Sequence, residues 1–410
     1  MDRLTSLPCT CDTGFIVMTI EKIYIGGWFQ RTTLHLAEIY DFLKEASSPL
    51  DLDAAKLQEL HGLLSLESVS LRVTNLEYIE VRTTSGFGIE IFEDGLMVLS
   101  ADAEAEVSAV GHRITELTTY YEERLSPAIS YLFSLGAPVP KELANIKTIY
   151  PYFLVVRDAG RDAVLDLLAS FNEEEHFEVR EPGFEIYRGD KLYVIVRKEI
   201  PLQSLKRFIE EQVFIREFKG QLHRYLNLHR GIWERIASVK EKGTIRGRDV
   251  SDFTGKIESY AKTINLIEAR INQMGTYLRT RESVAKNDPA MKEFLSVLSF
   301  KHETLSDTLQ YVKEIWSMTK NYVKSAEDLF SSIQAKATES SVKNLTIITS
   351  MGVGATLIGL FAQKVPEFTV FGAVYFFALA AIGWIANRVM REIGARRAYK
   401  ISDTELAKDL

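Results

Sequence analysis

The sequence predicts an α+β cytoplasmic domain, a long helical hairpin or stalk, and two C-terminal transmembrane helices. Three observations predict it. Residues 15–240 alternate β-branched runs with helical periods, residues 250–341 repeat apolar residues at spacings of three and four, and Leu345 to Ala362 and Phe368 to Ala386 are uncharged apolar runs. Each run is about 18–19 residues, which at roughly 1.5 Å per residue matches a hydrocarbon core. A backbone in lipid must satisfy its own hydrogen bonds, so the two runs are expected to pair as helices across the link Gln363-Lys364-Val365-Pro366-Glu367. The alternative is a buried hairpin in a soluble protein.

Basic residues set the expected orientation. Lys343 precedes the first run, and Arg388, Arg391, Arg396, Arg397 and Lys400 follow the second, whereas Lys364 in the link is balanced by Glu367. Positive flanks stay inside, so the expectation is a multi-pass protein of a prokaryotic-type inner membrane with both termini cytoplasmic.

The chain has 410 residues and a net charge of −7, which argues against nucleic acid as a partner. Cys9 and Cys11 have no second pair to complete a zinc site and read as free thiols. The first residues lack the apolar core of a secretory signal.

In order along the chain, residues 1–14 read as an extension. Residues 15–135 read as a first α/β repeat: a strand over Phe15 to Ile25 broken by Gly26-Gly27, helices over Thr33 to Ala46 and Asp51 to Leu64, and strands over Leu76 to Thr83, Phe87 to Phe92 and Leu96 to Leu99. Glu93-Asp94-Gly95 is a hairpin signal, and a helix from Ala103 to Leu132 is expected to kink at Pro127. Residues 148–240 repeat the order, with a hairpin across Arg188-Gly189-Asp190 and a helix from Pro201. In residues 250–341, a seam through Phe253, Ile257, Ile264, Ile271 and Leu278 precedes Asn287-Asp288-Pro289. A second seam then runs from Met291 through Leu298, Leu309, Trp316 and Phe330, interrupted only by His302 and Thr319. Residues 342–388 are the transmembrane hairpin and 389–410 a basic cytoplasmic tail.

One face of the first apolar run is small and polar: Thr349, Gly352, Thr356, Gly359 and Gln363. Two readings fit, a helix-packing seam or a pore wall in a ring of subunits. Here the chain resembles the CorA family of divalent-cation channels, through its architecture from about Ser251 and through Lys343, Leu345-Thr346-Ile347-Ile348, Thr356 and Gly359. The resemblance implies a homopentamer in the lipid bilayer with Val342, Leu345, Thr349, Val353, Thr356 and Gln363 lining a pore, Lys364 and Glu367 at its mouth, and magnesium or a similar divalent cation as transported or regulatory ion. The family's Gly-Met-Asn motif should fall near Gln363 and is missing, which removes the basis for magnesium selectivity.

Gly26-Gly27 with Arg31 form a weak candidate phosphate cradle, for which a tight turn is the plainer reading. Clusters such as Glu173-Glu174-Glu175 read as solvated helix ends, and no nucleophile, base and orienter stand at readable spacing, so no enzyme is expected. The leading expectation is a cation channel gated by its cytoplasmic domain through the stalk. The alternatives are a membrane effector in signalling or defence gated by a nucleotide-like messenger, and a non-conducting membrane scaffold.

Overall fold

The computed structural model describes residues 18–29, 35–103, 107–132, 152–240 and 244–361, and separated positions from 374 to 400. Two compact units share its helices: one holds the chain up to Arg224 together with Asn272–Leu309, the other Tyr225–Ile271 and the chain from Gln310.

The first unit is built on one nine-stranded sheet: β1 (Thr19–Trp28), β2 (Leu66–Arg72), β3 (Tyr78–Thr83), β4 (Phe87–Phe92), β5 (Leu96–Asp102), β6 (Tyr152–Arg157), β7 (Phe177–Glu181), β8 (Phe184–Arg188) and β9 (Leu192–Arg197), in the order β2-β3-β4-β5-β1-β6-β9-β8-β7. Both expected repeats therefore lie in a single sheet. They are not equivalent in topology, because β1 pairs β5 antiparallel while β6 pairs β9 parallel. The edges are charged and half open, as in Phe177-Glu178-Val179-Arg180-Glu181, which discourages further strand pairing.

Strand alternation divides the core into two faces. Ile23, Ile25, Leu99 and Leu154 join a cluster with α1 (Leu36–Glu45), α2 (Ala54–Leu64), α3 (Val107–Tyr120), α4 (Ser126–Leu132) and α5 (Arg161–Ser170). Asp53 caps α2 by accepting from the Ala55 amide at 2.9 Å. Between α3 and α4 the chain makes a π-turn, Tyr121–Leu125, in which the Ser126 amide bonds Tyr121 O. The expected kink at Pro127 takes this form because proline removes an i→i−4 donor, and a one-residue bulge re-pairs the neighbouring carbonyl.

The opposite face carries Trp28, whose ring lies 5.7 Å from Phe214 and 5.6 Å from Phe218 of α6 (Leu202–Lys240) and 6.1 Å from Tyr277 of α7 (Gly247–Asn287). Asp288 and Pro289 then start a 3-10 turn, Pro289–Phe294, capped by Asp288 on the Ala290 amide at 2.9 Å, which feeds α8 (Leu295–Phe361). Phe294 stacks on Phe208 at 4.5 Å.

The turn between β4 and β5 ties this face together. Gly95 has φ +92°, and a Cβ there would fall 2.0 Å from Phe29 O, so only glycine fits. The neighbouring Asp94 accepts from Arg281 Nε at 2.6 Å and Nη2 at 3.0 Å, and Arg281 Nη1 bonds Glu211 at 2.9 Å. Asp94 and Arg281 are each 2% exposed, so strand turn, α6 and α7 are joined by a desolvated ion pair.

In the second unit the expected seams are buried: Ile257, Ile264, Ile267 and Ile271 on α7, and Val312, Trp316, Val323 and Phe330 on α8. Thr319, read as an interruption, is fully buried and bonded to His229 Nδ1 at 2.5 Å. A short strand, β10 (Thr244–Arg246), pairs antiparallel with β11 (Ala398–Lys400), so part of the expected basic tail pairs with the residues preceding α7.

The transmembrane expectation is corrected. A span needs about 20 consecutive, predominantly apolar helical residues. Among the described residues no helix is long and apolar enough to cross a membrane. The first apolar run, as far as Phe361, forms the end of α8, and the second contributes only separated described positions. The two transmembrane helices and the multi-pass placement in an inner membrane are therefore withdrawn, with the channel and ion-transport reading that required them.

Replacing Arg281 with Met should lower unfolding stability in urea by about 3–5 kcal/mol, because Asp94 is left charged and buried. A loss below about 1 kcal/mol would show that the ion pair does not hold this face.

Candidate functional site

A cavity of about 430 Å³ opens on the same sheet face, over the second half of the sheet. Strand register builds its floor. Phe153 of β6 sits opposite Tyr193 of β9, Tyr193 opposite Arg188 of β8, and Arg188 opposite Phe177 of β7, so one row of residues crosses four strands, with Ile195, Ile186 and Val179 in the adjacent row on the same face. The Phe153 and Tyr193 rings stack with centroids 4.9 Å apart. Two helical i, i+4 pairs complete the walls, Phe208 and Gln212 on α6 and Val297 and Lys301 on α8.

The turn at the mouth is held by a carboxylate. Glu173 Oε2 accepts from the Lys191 amide at 2.8 Å and would meet any Cβ on Gly189 at 2.6 Å. Its neighbour Glu175 pairs with Arg161 at 3.0 Å. Both are structural clasps rather than the solvated helix ends expected. The turn projects Arg188, whose guanidinium stands 5.5 Å from the Tyr193 ring, and Asp190, which lies 3.2 Å from His176 Nε2.

Charge and hydrogen bonding in the cavity are unbalanced. Lys301 donates to Gln212 Oε1 and has no ion pair among the described residues. Burial, reinforced by the charge of Arg188, pushes its ammonium down to about 8. Because lysine only donates, the Gln212 oxygen must face it, which turns Nε2 to the other side. That Nε2 is buried without a partner, although Gln212 is only 7% exposed. Burial also lowers the nearby Arg216, on which the Tyr193 and Arg188 charges act. The cavity thus offers aromatic faces and two cations.

A second polar cluster lies nearer the first half of the sheet. Glu210 bonds Arg207 at 2.9 Å, Lys206 pairs with Glu90, and His302 Nε2 lies 3.5 Å from Glu211 without a hydrogen bond. Burial first, then the charge of Glu90, raises the Glu210 carboxyl. His302, read as an interruption of the α8 seam, is buried here. Among the described residues no group of three or more His, Cys, Asp or Glu is placed to hold a metal.

The residues singled out by sequence lie elsewhere. Gly26 and Gly27 do not break β1; they are ladder positions opposite Val98 and Met97. A Cβ on Gly26 would meet Met97 O at 2.7 Å and Val213 Cγ1 at 3.0 Å, so glycine here lets α6 approach the sheet. Arg31, Gln363, Lys364 and Glu367 lie outside the described residues. Val342 and Thr349 are exposed positions on α8, where the Thr346 hydroxyl bonds back to Val342 O at 3.0 Å; Leu345, Val353 and Thr356 belong to the same helix. None of those that are described lines the cavity, and sequence reasoning assigned no site role to any residue that does, because strand register and helix packing bring together residues far apart in the chain.

No family model and no curated protein matches the chain, and the CorA resemblance gains no support from them.

Glu217 gives the first unit a pH dependence. Burial raises its carboxyl to about 7 against an unfolded value of 4.5. The folded state therefore binds the proton more tightly, and this contribution is fully present below pH 4.5 and lost as pH rises through 7. Stability should fall between pH 5 and 8 by up to about 3 kcal/mol from this group, and Glu217→Gln should flatten the profile. An unchanged profile in that variant would contradict the assignment.

Proposed function

We propose that this chain is a ligand-responsive module whose cavity over β6, β9, β8 and β7 binds a small anion with a flat apolar part, of which a nucleotide is the leading class. The observation that carries the reading is the pairing of Lys301 and Arg188, neither matched by a carboxylate in an ion pair among the described residues, with the stacked Phe153 and Tyr193 rings. An anionic group would relieve the mutual repulsion of the two cations, and a planar group would stack on the aromatic floor.

Response follows from the walls. Val297 and Lys301 belong to the first two turns of α8, which runs on to Phe361. A ligand that binds one placement of these turns better than another shifts the population of α8 by that difference. The reading keeps the ligand-gated half of the sequence expectation and leaves out the membrane.

Titration of the full chain with adenosine monophosphate, a cyclic dinucleotide and inorganic phosphate checks it. At least one nucleotide should bind and raise the melting temperature, and Arg188→Ala should weaken it about tenfold, or roughly 1.4 kcal/mol. Absence of binding by all three, or equal binding by the variant, would end the proposal.

A further inference from the structure

Lys301 is built as a nucleophile rather than as a simple counter-charge. Lys301 lines the cavity, its Nζ is hydrogen-bonded on one side to Gln212 Oε1, and it is opposed by Arg188 instead of being neutralised. A lysine desolvated beside a second cation has a free lone pair at neutral pH far more often than a surface lysine does. With its ammonium at about 8, roughly a quarter of Lys301 is neutral at pH 7.5, against about 0.1% for an ordinary lysine.

The surroundings supply the remaining parts. Gln212 accepts from Lys301 Nζ through Oε1 and so fixes the amine at the cavity wall. Arg188 anchors an anionic substituent over the Tyr193 ring. His176, held by Asp190 on the same cavity wall, is a proton carrier.

We infer that Lys301 captures an anionic aldehyde or ketone as an imine in the cavity formed by Phe153, Tyr193, Phe208, Gln212 and Arg188. The inference rests on the anionic-ligand reading above and adds the reactive group. The neutral Nζ attacks the carbonyl carbon, forming the C–N bond while the π pair moves to oxygen. One proton passes from nitrogen to that oxygen to give the carbinolamine, the second nitrogen proton is carried to the resulting hydroxyl, and the C–O bond breaks to release water as the nitrogen electrons form C=N, leaving the neutral imine. Nothing is oxidised or reduced. The imine reverts with water, so occupancy follows ligand concentration.

Pyridoxal 5′-phosphate, an aromatic aldehyde with an anionic group, is a suitable probe. The full chain is incubated with it at pH 7.5, reduced with borohydride and mapped by peptide mass. One adduct should dominate, at Lys301. Its yield should fall at least tenfold in Arg188→Ala, and in Lys301→Arg, checked for an unchanged melting temperature, the adduct should vanish. Label spread evenly over exposed lysines, or unaltered in Lys301→Arg, overturns the inference. Pyridoxine 5′-phosphate, which has an alcohol in place of the aldehyde, separates the two levels. If it binds in an Arg188-dependent way while Lys301 stays unmodified by the aldehyde, imine capture is wrong and the anionic-ligand reading survives. If neither it nor any nucleotide binds, both fall.

Discussion

The desolvated contact of Arg281 with Asp94 and Glu211 constrains the first unit more than any other interaction. Arg281 is sandwiched by the Phe92 and Phe214 rings at 4.8 and 5.2 Å, and its guanidinium reaches a strand turn on one side and α6 on the other. Such a pair adds little net stability compared with an apolar replacement of equal shape, since its desolvation offsets most of the attraction. What it adds is uniqueness. Any slip of α7 along the sheet would strand three charges in a low-dielectric core, so the helix has one admissible position. The glycine at position 95 belongs to the same constraint, because the turn that aims Asp94 passes too close to Phe29 for any side chain.

That fixed half contrasts with the half carrying the cavity. Over β1, β4 and β5 each of three carboxylates has a cation in an ion pair: Glu90 with Lys206, Glu210 with Arg207, Asp94 with Arg281. Over β6, β9 and β8, Lys301 and Arg188 have no ion pair among the described residues and a cavity remains. A cavity whose cations lack ion-pair partners is a place where an anionic ligand gains on binding. The incompleteness lies against the beginning of α8, so ligand contact and helix placement are governed by the same side chains.

Much of the fold was legible in the sequence, and the limits have physical causes. Seam positions such as Ile264, Ile271, Trp316 and Phe330 were readable because helical period and burial coincide. The β4–β5 hairpin was readable because Gly95 must adopt positive φ. Strand β2 was missed since an edge strand, Leu66-Glu67-Ser68-Val69-Ser70-Leu71-Arg72, buries too little to show alternation. His302 and Thr319 looked like defects in a heptad, whereas each is a buried polar group whose neighbour, Glu211 or His229, lies far away in sequence. The cavity was invisible for a related reason: Phe153, Arg188, Gln212 and Lys301 share no local pattern. The apolar runs near the C-terminus misled because hydropathy alone does not show whether a helix of sufficient length and apolarity forms.

Hydrogen–deuterium exchange of the full chain, with and without a saturating nucleotide, tests the central claim most directly. The account predicts added protection in Tyr152–Arg157, Leu192–Arg197 and the first turns of α8 around Val297 and Lys301, with the Asp94 turn unchanged because its ion pair already fixes it. Protection confined to other segments, or centred on Gly26 and Gly27, would contradict it.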